Sequence, residues 1–311
     1  MITISEQQVR EALPMAKAVE LVDDCFRGLA AGRIVNHPRR RVALENRAVL
    51  HYMAAGDNER NYLATKNYVT RPGVGAAFAV LLFDAEQARL LAAIEANALG
   101  QIRTGAASGV ATGYLARADA STVGLIGCGF QAETQLEAIA AVRMLDRVKV
   151  FSRTEKNRAA FAEKMSLRLG LPVEPVDSAE AAVRGSGILV TVTNARDPVV
   201  FGEWLEPGCH VNAAGSNHLR RREIDSELVR RAAVVAADSI EQAKIEAGDL
   251  LAAVQDGALD WERVVEFSAI AGGSVKGRSS PEDITLFESQ GLAAEDLAVA
   301  IYVYEQLARP E

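Results

Sequence analysis

A short glycine pattern is the part of this sequence whose residue types could bind a cofactor. Gly127, Gly129 and Ala132 follow the apolar run 123–126, and the sequence predicts a helix over 133–142. Gly127 would allow a sharp turn, Gly129 would let the backbone approach a pyrophosphate, and Ala132 would let the helix pack closely on the strand. The helix start would present amide groups and a partial positive charge to the phosphates. The pattern therefore predicts a dinucleotide-binding turn, with a purely structural turn as the alternative.

Cationic side chains in the first third of the chain could bind and protonate an acidic substrate. Arg39, Arg40 and Arg41 stand together at the mouth of a predicted strand, and guanidinium groups pair with carboxylates through two parallel hydrogen bonds. Lys66 lies in a predicted strand over 62–69 that is otherwise uncharged. If Lys66 faces a cleft, desolvation lowers its pKa and suits it to proton transfer. A solvated arginine edge and an outward-facing lysine are the structural alternatives.

The periodicity of the chain changes between two regions. Two helices and a series of short β segments come first, followed by an alanine- and glycine-rich helix over 97–115. From Val123 on, strands and helices alternate, which is typical of a parallel sheet that binds ligands at the carboxyl ends of its strands. The polar turn 116–121 is therefore the predicted domain boundary, and the final helix, 295–307, is expected to pack back on the first domain.

Composition restricts the classes of function. The chain has 311 residues, 49% of them hydrophobic and 24% charged, and its net charge is −7. These values indicate a globular protein with room for two domains, and they argue against nucleic acid and anionic membranes as partners. With no apolar run of membrane-spanning length, no signal peptide and no Cys-x-x-Cys pair, we expect a cytoplasmic protein without disulfides. The histidines also lack the spacing of metal ligands, so no metal is expected; they are His37, His51, His210 and His218.

The end of the second predicted strand bears on the choice of cofactor. The strand 148–151 is followed by Ser152, Arg153 and Thr154. A carboxylate at this position would accept hydrogen bonds from the adenosine ribose and repel a 2′-phosphate, and none is present. The residues are compatible with NADP and do not exclude NAD.

Four segments, taken together, resemble the ornithine cyclodeaminase/mu-crystallin family. They are 102–107, 126–132, 211–215 and 287–293, and the resemblance runs over nearly the whole chain. It implies a homodimer and an α/β fold in which a Rossmann doubly wound parallel sheet over 118–282 carries the dinucleotide. It also implies a second α/β domain for substrate binding and dimerisation, built from both chain ends, 1–117 and 283–311.

The resemblance also assigns site residues by position. Lys66 is similar to the family's active-site lysine beside the substrate carboxylate, Arg40 or Arg41 to its carboxylate-binding arginine, and Met53 is expected to contact the substrate. The expected contacts to the cofactor, some of which could also reach the substrate, are Arg103, Thr104, Gly127, Gly129, Phe130, Gln131, Ser152, Arg153, Thr193, Asn212, Ala213, Arg221 and Ser289.

Asn217 is a departure from the family pattern that affects the expected reaction. Cyclodeaminases and the alanine dehydrogenase branch place an aspartate there, whereas asparagine cannot exchange a proton or supply negative charge. That disfavours ring-closing deamination of ornithine, and with His218, Arg220 and Arg221 close by in sequence it would tolerate a second substrate carboxylate. The resemblance thus favours an NAD(P)H-dependent oxidoreductase that reduces a small 2-imino acid, iminosuccinate to aspartate first among the candidates. A cyclodeaminase-type ammonia lyase and a non-catalytic dinucleotide-binding protein are the alternatives.

Overall fold

The computed structural model describes residues 1–308, which form two compact units. The first comprises Met1–Arg103 together with the residues from Gly291 on, and the second is Thr104–Gln290. The helix predicted over 97–115 is present, and the boundary between the two units falls within it, between Arg103 and Thr104. The sequence had placed this boundary in the turn 116–121 that follows the helix. The second predicted division also moves, because the strand Thr285–Glu288 pairs inside the parallel sheet and belongs to the second unit.

The strands of the described chain, in order, are β1 (Ile2–Ile4), β2 (Ile34–Ala43), β3 (Val49–Asp57), β4 (Tyr62–Arg71), β5 (Gly75–Asp84), β6 (Arg89–Glu95), β7 (Thr122–Ile126), β8 (Arg147–Phe151), β9 (Val173–Pro175), β10 (Ile188–Thr191), β11 (His210–Ala213), β12 (Val234–Ala237), β13 (Val264–Glu266) and β14 (Thr285–Glu288).

The helices are α1 (Glu6–Ala12), α2 (Met15–Ala30), α3 (Asn97–Leu115), α4 (Phe130–Val142), α5 (Glu155–Leu169), α6 (Ala179–Val183), α7 (Ser226–Arg231), α8 (Ile240–Glu246), α9 (Gly248–Gln255), α10 (Phe267–Ala271) and α11 (Ala293–Leu307), with short 3-10 turns over Gly202–Trp204 and Trp261–Arg263.

The first unit is built on a six-stranded sheet in the order β1-β6-β5-β4-β3-β2. Strands β2 to β6 run antiparallel to their neighbours, and β1 pairs parallel with β6. Helix α11 packs against β2, β3, β4 and β5, and it also contacts α2. The sheet face that α11 covers, called the inner face below, is apolar over much of its area, with Ala55, Ala64, Val80 and Leu82 all buried.

The second unit contains an eight-stranded sheet in the order β13-β12-β14-β11-β10-β7-β8-β9. Every pair of neighbouring strands in it is parallel. The chain runs outward in one direction from β7 to β9 and in the other from β10, so the strand order reverses between β7 and β10. The predicted fold class, a Rossmann doubly wound sheet with a second α/β unit from both chain ends, is confirmed. Open sheets of this kind bind ligands beside the point of reversal.

The glycines of α3 explain why that helix is so poor in large side chains. A Cβ atom on Gly105 would lie 2.3 Å from the carbonyl oxygen of Thr134 in α4. The two helices therefore meet at backbone distance, which only glycine permits. This contact fixes α4, whose first turn follows the glycine pattern.

Among residues 1–308, no helix combines the length and the hydropathy that a membrane span requires.

Candidate functional site

Lys66 is buried in the first unit within a network of ion pairs. Its Nζ lies 2.7 Å from Oδ1 of Asp296 in α11, and the two side chains are only 4% and 1% exposed. Arg103 Nε donates to the same Oδ1 at 3.1 Å, while its NH1 donates to Glu295 Oε2 at 2.9 Å. Of the two alternatives that the sequence allowed for Lys66, the outward-facing, solvated lysine is therefore wrong.

Burial changes the acidity of Lys66. Desolvation, followed by the nearby charge of Arg103, lowers its pKa to about 8, although Asp296 and its hydrogen bond act in the opposite direction. A lysine with a pKa near 8 is still mostly protonated at neutral pH and gives up its proton far more readily than an exposed one. The group is thus suited to donate a proton near neutral pH.

Two glycines make room for the cations of this network. A Cβ on Gly100 would lie 2.9 Å from Lys66 Nζ, and one on Gly291 would lie 2.6 Å from Arg103 NH1. Gly291 also has φ +82°, in the left-handed region that favours glycine. The glycine in the family-like segment 287–293 therefore has a role in the first unit, next to Arg103.

The three consecutive arginines of β2 lie in three different environments. The β2–β3 register shifts between His37 and Arg40, where β2 has one residue more than its partner, so this is a β-bulge. Arg39, within the bulge, is buried and donates from NH2 to the carbonyl oxygen of Gly291 at 3.1 Å.

Beyond the bulge, Arg40 and Arg41 lie on opposite faces of the sheet. Arg41 pairs with His51 and Arg40 with Tyr52, and directly opposed residues point to the same face. Since Met53 pairs with Lys66 and lies two residues from His51, Arg41 shares the inner face with Lys66. Arg40 points away from Lys66, so of the two predicted carboxylate-binding arginines Arg41 is the one on the face that carries Lys66.

Aromatic and apolar side chains surround Lys66 on the inner face. Met53 is buried and lies opposite it in β3. The His51 and Tyr68 rings stack with centroids 4.3 Å apart, and Tyr68 stacks on Phe78 at 5.0 Å. Arg41 Nε donates to His51 Nδ1 at 3.2 Å, which connects the guanidinium to this aromatic stack.

In the second unit the glycine pattern has the geometry that a pyrophosphate requires. Gly127 has φ +113°, and a Cβ on it would lie 2.5 Å from the carbonyl oxygen of Val192. Gly129 is the N-cap of α4, where no side chain caps the helix, and a Cβ there would meet no atom within 4 Å. Ala132 is completely buried. The open space above Gly129 at an uncapped helix start fits a phosphate group.

The end of β8 carries polar and cationic groups, as the sequence indicated. Cys128 Sγ donates to Ser152 Oγ at 2.9 Å, which joins the glycine turn to the strand end. Arg158 donates to the carbonyl oxygen of Ser152 and pairs with Asp177 at 3.0 Å. Arg153 is exposed. No acidic side chain stands at 152–154, so this strand end does not repel a 2′-phosphate.

A buried group of carboxyls lies at the carboxyl ends of β10, β11 and β14. Glu223 accepts hydrogen bonds from the amide of Thr193, from Gly215 N at 2.8 Å and from Thr191 Oγ1 at 3.0 Å. Burial, and next the charge of Asp249, raise the pKa of Glu223 to about 7. Burial and three carboxyl neighbours also raise the pKa of Glu288 well above its usual value. The Glu223 carboxyl ties together the turns that follow β10 and β11.

The other predicted cofactor residues fall into two groups. Some have groups that a ligand can reach or that lack a partner. Gln131 Oε1 and Ser289 Oγ are buried with no hydrogen-bond partner. Phe130, Asn217 and Arg221 are exposed, and Thr193 and Thr104 are half-buried.

The side chains of the other residues are buried or already paired within the protein. Asn212 is completely buried and bonded to Thr112 and His210, so its side chain is not available to a ligand, and Ala213 is buried in β11. Arg103 belongs to the Lys66 network in the first unit, where it pairs with Glu295 and Asp296.

Sequence reasoning missed Glu295, Asp296 and Glu223. The signal for the first two was an adjacent acidic pair at the start of a helix whose middle is apolar, since charged residues are rarely buried unless paired. Glu223 had no comparable signal, because its partners lie in turns distant in sequence. Within residues 1–308, no group of three or more His, Cys, Asp or Glu side chains could hold a metal ion.

Comparison with known proteins identifies the family. The profile of the ornithine cyclodeaminase/mu-crystallin family matches residues 2–311. The chain belongs to this family. It is 42% identical to the Δ1-pyrroline-2-carboxylate reductase of Bacillus cereus over 228 residues, which cover 73% of this chain and 70% of that protein.

Solved structures with bound ligands resemble the chain over nearly its full length. The Thermococcus litoralis Δ1-pyrroline-2-carboxylate reductase with NADH and L-proline has a TM-score of 0.95 and 36% identity, covering 99% of this chain and 98% of that one. An archaeal alanine dehydrogenase dimer with bound NAD has a TM-score of 0.92 and 34% sequence identity, and the match covers 98% of this chain and 95% of that one. The iminosuccinate reductase of Paracoccus denitrificans with NAD+ has a TM-score of 0.91 and 27% sequence identity, and the match covers 97% of this chain and 95% of that one.

These relatives confirm three predictions made from the sequence. The family is the one that the four segments indicated. The chain is a nicotinamide-dependent oxidoreductase of the type that acts on carbon–nitrogen bonds. Its cofactor is a nicotinamide dinucleotide, since the similar structures hold NADH or NAD+.

Proposed function

We propose that this protein reduces the C=N bond of a small 2-imino acid to the corresponding L-amino acid. The observation that carries the proposal is the Lys66 ammonium, which is buried on the inner face with its Nζ 2.7 Å from Asp296 Oδ1. Burial and the charge of Arg103 lower its pKa to about 8, so it can pass a proton to an imine nitrogen near neutral pH. Arg41 lies on the same face and supplies a cation suited to a substrate carboxylate.

The cyclic imine Δ1-pyrroline-2-carboxylate is the substrate we place first. The reductases named for it share 36% and 42% identity with this chain, whereas the iminosuccinate reductase shares 27%. The surroundings of Lys66, with Met53 and the stacked rings of His51, Tyr68 and Phe78, suit an apolar ring. Iminosuccinate, which the sequence favoured, stays the second candidate, because Asn217 is exposed near Arg220 and Arg221 and could face a second carboxylate.

Three of the predicted residues then act on the substrate. Arg41 binds the substrate carboxylate, Met53 packs against the carbon skeleton, and Lys66 donates a proton to the imine nitrogen. Protonation turns the imine into an iminium, whose carbon is a much better hydride acceptor. Gly127, Gly129 and the start of α4 hold the dinucleotide phosphates, and Ser152 and Arg153 hold its adenosine end. The bound dinucleotide supplies the hydride. Asn217, neutral and exposed, takes no proton.

An assay with a panel of imino acids tests the proposal. The purified protein is expected to oxidise NADH or NADPH with Δ1-pyrroline-2-carboxylate, and more slowly with iminosuccinate or with pyruvate plus ammonia, as followed by nicotinamide absorbance. Because Ser152, Arg153 and Thr154 carry no acidic group, NADPH is expected to serve at least as well as NADH.

Other outcomes of the same assay would favour the other functions. Release of ammonia from ornithine with no net change in nicotinamide absorbance would indicate a cyclodeaminase. Tight dinucleotide binding with no turnover on any imino acid would indicate a binding protein. A higher kcat/KM for iminosuccinate than for the cyclic imine would reverse our order of substrates.

We also propose that the protein is a cytoplasmic homodimer that pairs through the outer face of the six-stranded sheet. That face exposes large apolar side chains on neighbouring strands: Val35, Leu50, Tyr52, Leu63 and Val69. A contiguous apolar patch is the usual mark of a protein interface, and the similar archaeal alanine dehydrogenase is described as a dimer.

Sedimentation velocity tests the dimer. The unaltered protein is expected to sediment as a dimer and Val69→Glu as a monomer, because the new charge would lie opposite Leu50 at the centre of the patch. Met144→Glu, at an exposed apolar residue of the second unit, is the matched control and should stay dimeric. A monomeric parent protein, or a dimeric Val69→Glu variant, would contradict the proposal.

A further inference from the structure

The carboxylate of Asp296 is shared by two cations through a single oxygen. Its Oδ1 accepts from Lys66 Nζ at 2.7 Å and from Arg103 Nε at 3.1 Å. The other oxygen, Oδ2, is buried and has no hydrogen-bond partner. A carboxylate that contributed only to stability would gain by using both oxygens. The arrangement instead directs one oxygen of Asp296 at both the Lys66 ammonium and the Arg103 guanidinium.

The backbone holds Asp296 firmly in this position. It lies in the first turn of α11, where the helix dipole favours an acidic side chain. Asn36 Oδ1, from β2, accepts the amide of Ala294 at 3.0 Å, and Arg39 donates to the carbonyl oxygen of Gly291 just before the helix. The carboxylate therefore has a fixed place relative to β4, and Lys66 is held against it.

The charged groups that face Lys66 come from each element packed around it. Asp296 faces it from α11, Arg103 from α3 and Arg39 from β2, whereas Glu295 pairs with Arg103 NH1. Both arginines disfavour the ammonium form, as does burial. Asp296 is the group that opposes them.

We propose that Asp296 is a positioning residue that keeps Lys66 protonated and aimed at the imine, and so sets the upper pH limit of the reduction. The inference deepens the proposed function and rests on it. Without Asp296, the ammonium would be buried beside two arginines with no carboxylate in contact. Lys66 would then lose its proton at a lower pH, and reduction would fail under conditions in which the parent enzyme works.

The test compares Asp296→Asn with the neighbouring Glu295→Gln. Both changes remove one buried carboxylate from the same helical turn, but only Asp296 contacts Lys66. In the parent enzyme kcat/KM is expected to fall as pH rises through about 8. This fall is the upper limb of the pH profile. In Asp296→Asn the upper limb should move to lower pH by about one unit or more, while in Glu295→Gln it should stay close to its position in the parent enzyme. Asp296→Ser, which leaves room for water, serves if the asparagine variant does not fold.

A second readout does not depend on turnover. The pH dependence of acetic anhydride labelling at Lys66, followed by peptide mass spectrometry, reports its protonation directly. Labelling should begin at lower pH in Asp296→Asn than in the parent or in Glu295→Gln. An unchanged upper limb and labelling profile in a folded Asp296 variant, or equal shifts in both variants, would overturn the proposal. If the parent protein reduces no imino acid, the proposed function fails, and labelling still decides whether Asp296 controls Lys66.

Discussion

Replacing Lys66 with methionine is expected to lower kcat for imine reduction by at least about 1000-fold, the scale of a well-placed general acid. Methionine has nearly the length and volume of lysine but cannot donate a proton, and position 66 is only 4% exposed. Asp296 would keep its hydrogen bond from Arg103, so no uncompensated carboxylate would be left in the first unit. The fold and dinucleotide binding should survive, as checked by thermal melting and by titration with NADH.

Lys149 provides a matched control for this experiment. It is the other buried lysine on a strand, 8% exposed, and its Nζ donates to the carbonyl oxygens of Ala181 and Arg184 in the second unit. Lys149→Met should reduce thermal stability and leave kcat within a few-fold of the parent. Near-normal turnover in Lys66→Met would remove Lys66 from the chemistry, and equal losses in both variants would point to a general effect of deleting a buried lysine.

Arg41→Met is expected to raise KM for the imino acid by about 100-fold, the cost of losing a charge-assisted pair of hydrogen bonds to a carboxylate. KM should respond more than kcat, because the arginine binds a carboxylate that does not change during the reaction. KM for the dinucleotide should stay the same. Steady-state kinetics with each substrate varied in turn would separate these effects.

Arg40→Met is the natural control for Arg41→Met. The two residues are adjacent, carry the same charge and are both exposed, but they lie on opposite faces of the sheet. The change at Arg40 should therefore alter KM by no more than a few-fold, the effect of removing a distant charge. Equal effects of the two substitutions, or a larger effect at Arg40, would contradict the assignment of Arg41 to the substrate.

Local sequence was sufficient where the chemistry depends on consecutive residues. The strand, glycine turn and helix over 122–142 could be predicted because Gly127, Gly129 and Ala132 each have a backbone role at fixed spacing. The same holds for the cap of α1, where Ser5 and Gln8 form the reciprocal hydrogen bonds of a capping box.

Long-range pairing could not be predicted in the same way. Strand β14 is inserted between β11 and β12, about seventy residues after the first of them, so the end of the second unit was placed too early. Asp296 meets Lys66 across 230 positions of sequence. No periodicity records such a contact, and only the fold shows that the acidic pair at the start of α11 faces β4.

The bulge in β2 has a consequence for how this enzyme tolerates changes in chain length. His37, before the bulge, and Arg41, after it, are both odd-numbered, yet they point in opposite directions. Deleting Pro38 would restore strict alternation and leave Arg40 opposite Tyr52 and Arg41 opposite His51, so both side chains would keep their present orientations. A change that straightened the strand at constant length would instead exchange the two orientations and act as if the substrate-facing arginine had been mutated. Relatives that are one residue shorter here can therefore present an arginine to the same face, although their arginine runs look different.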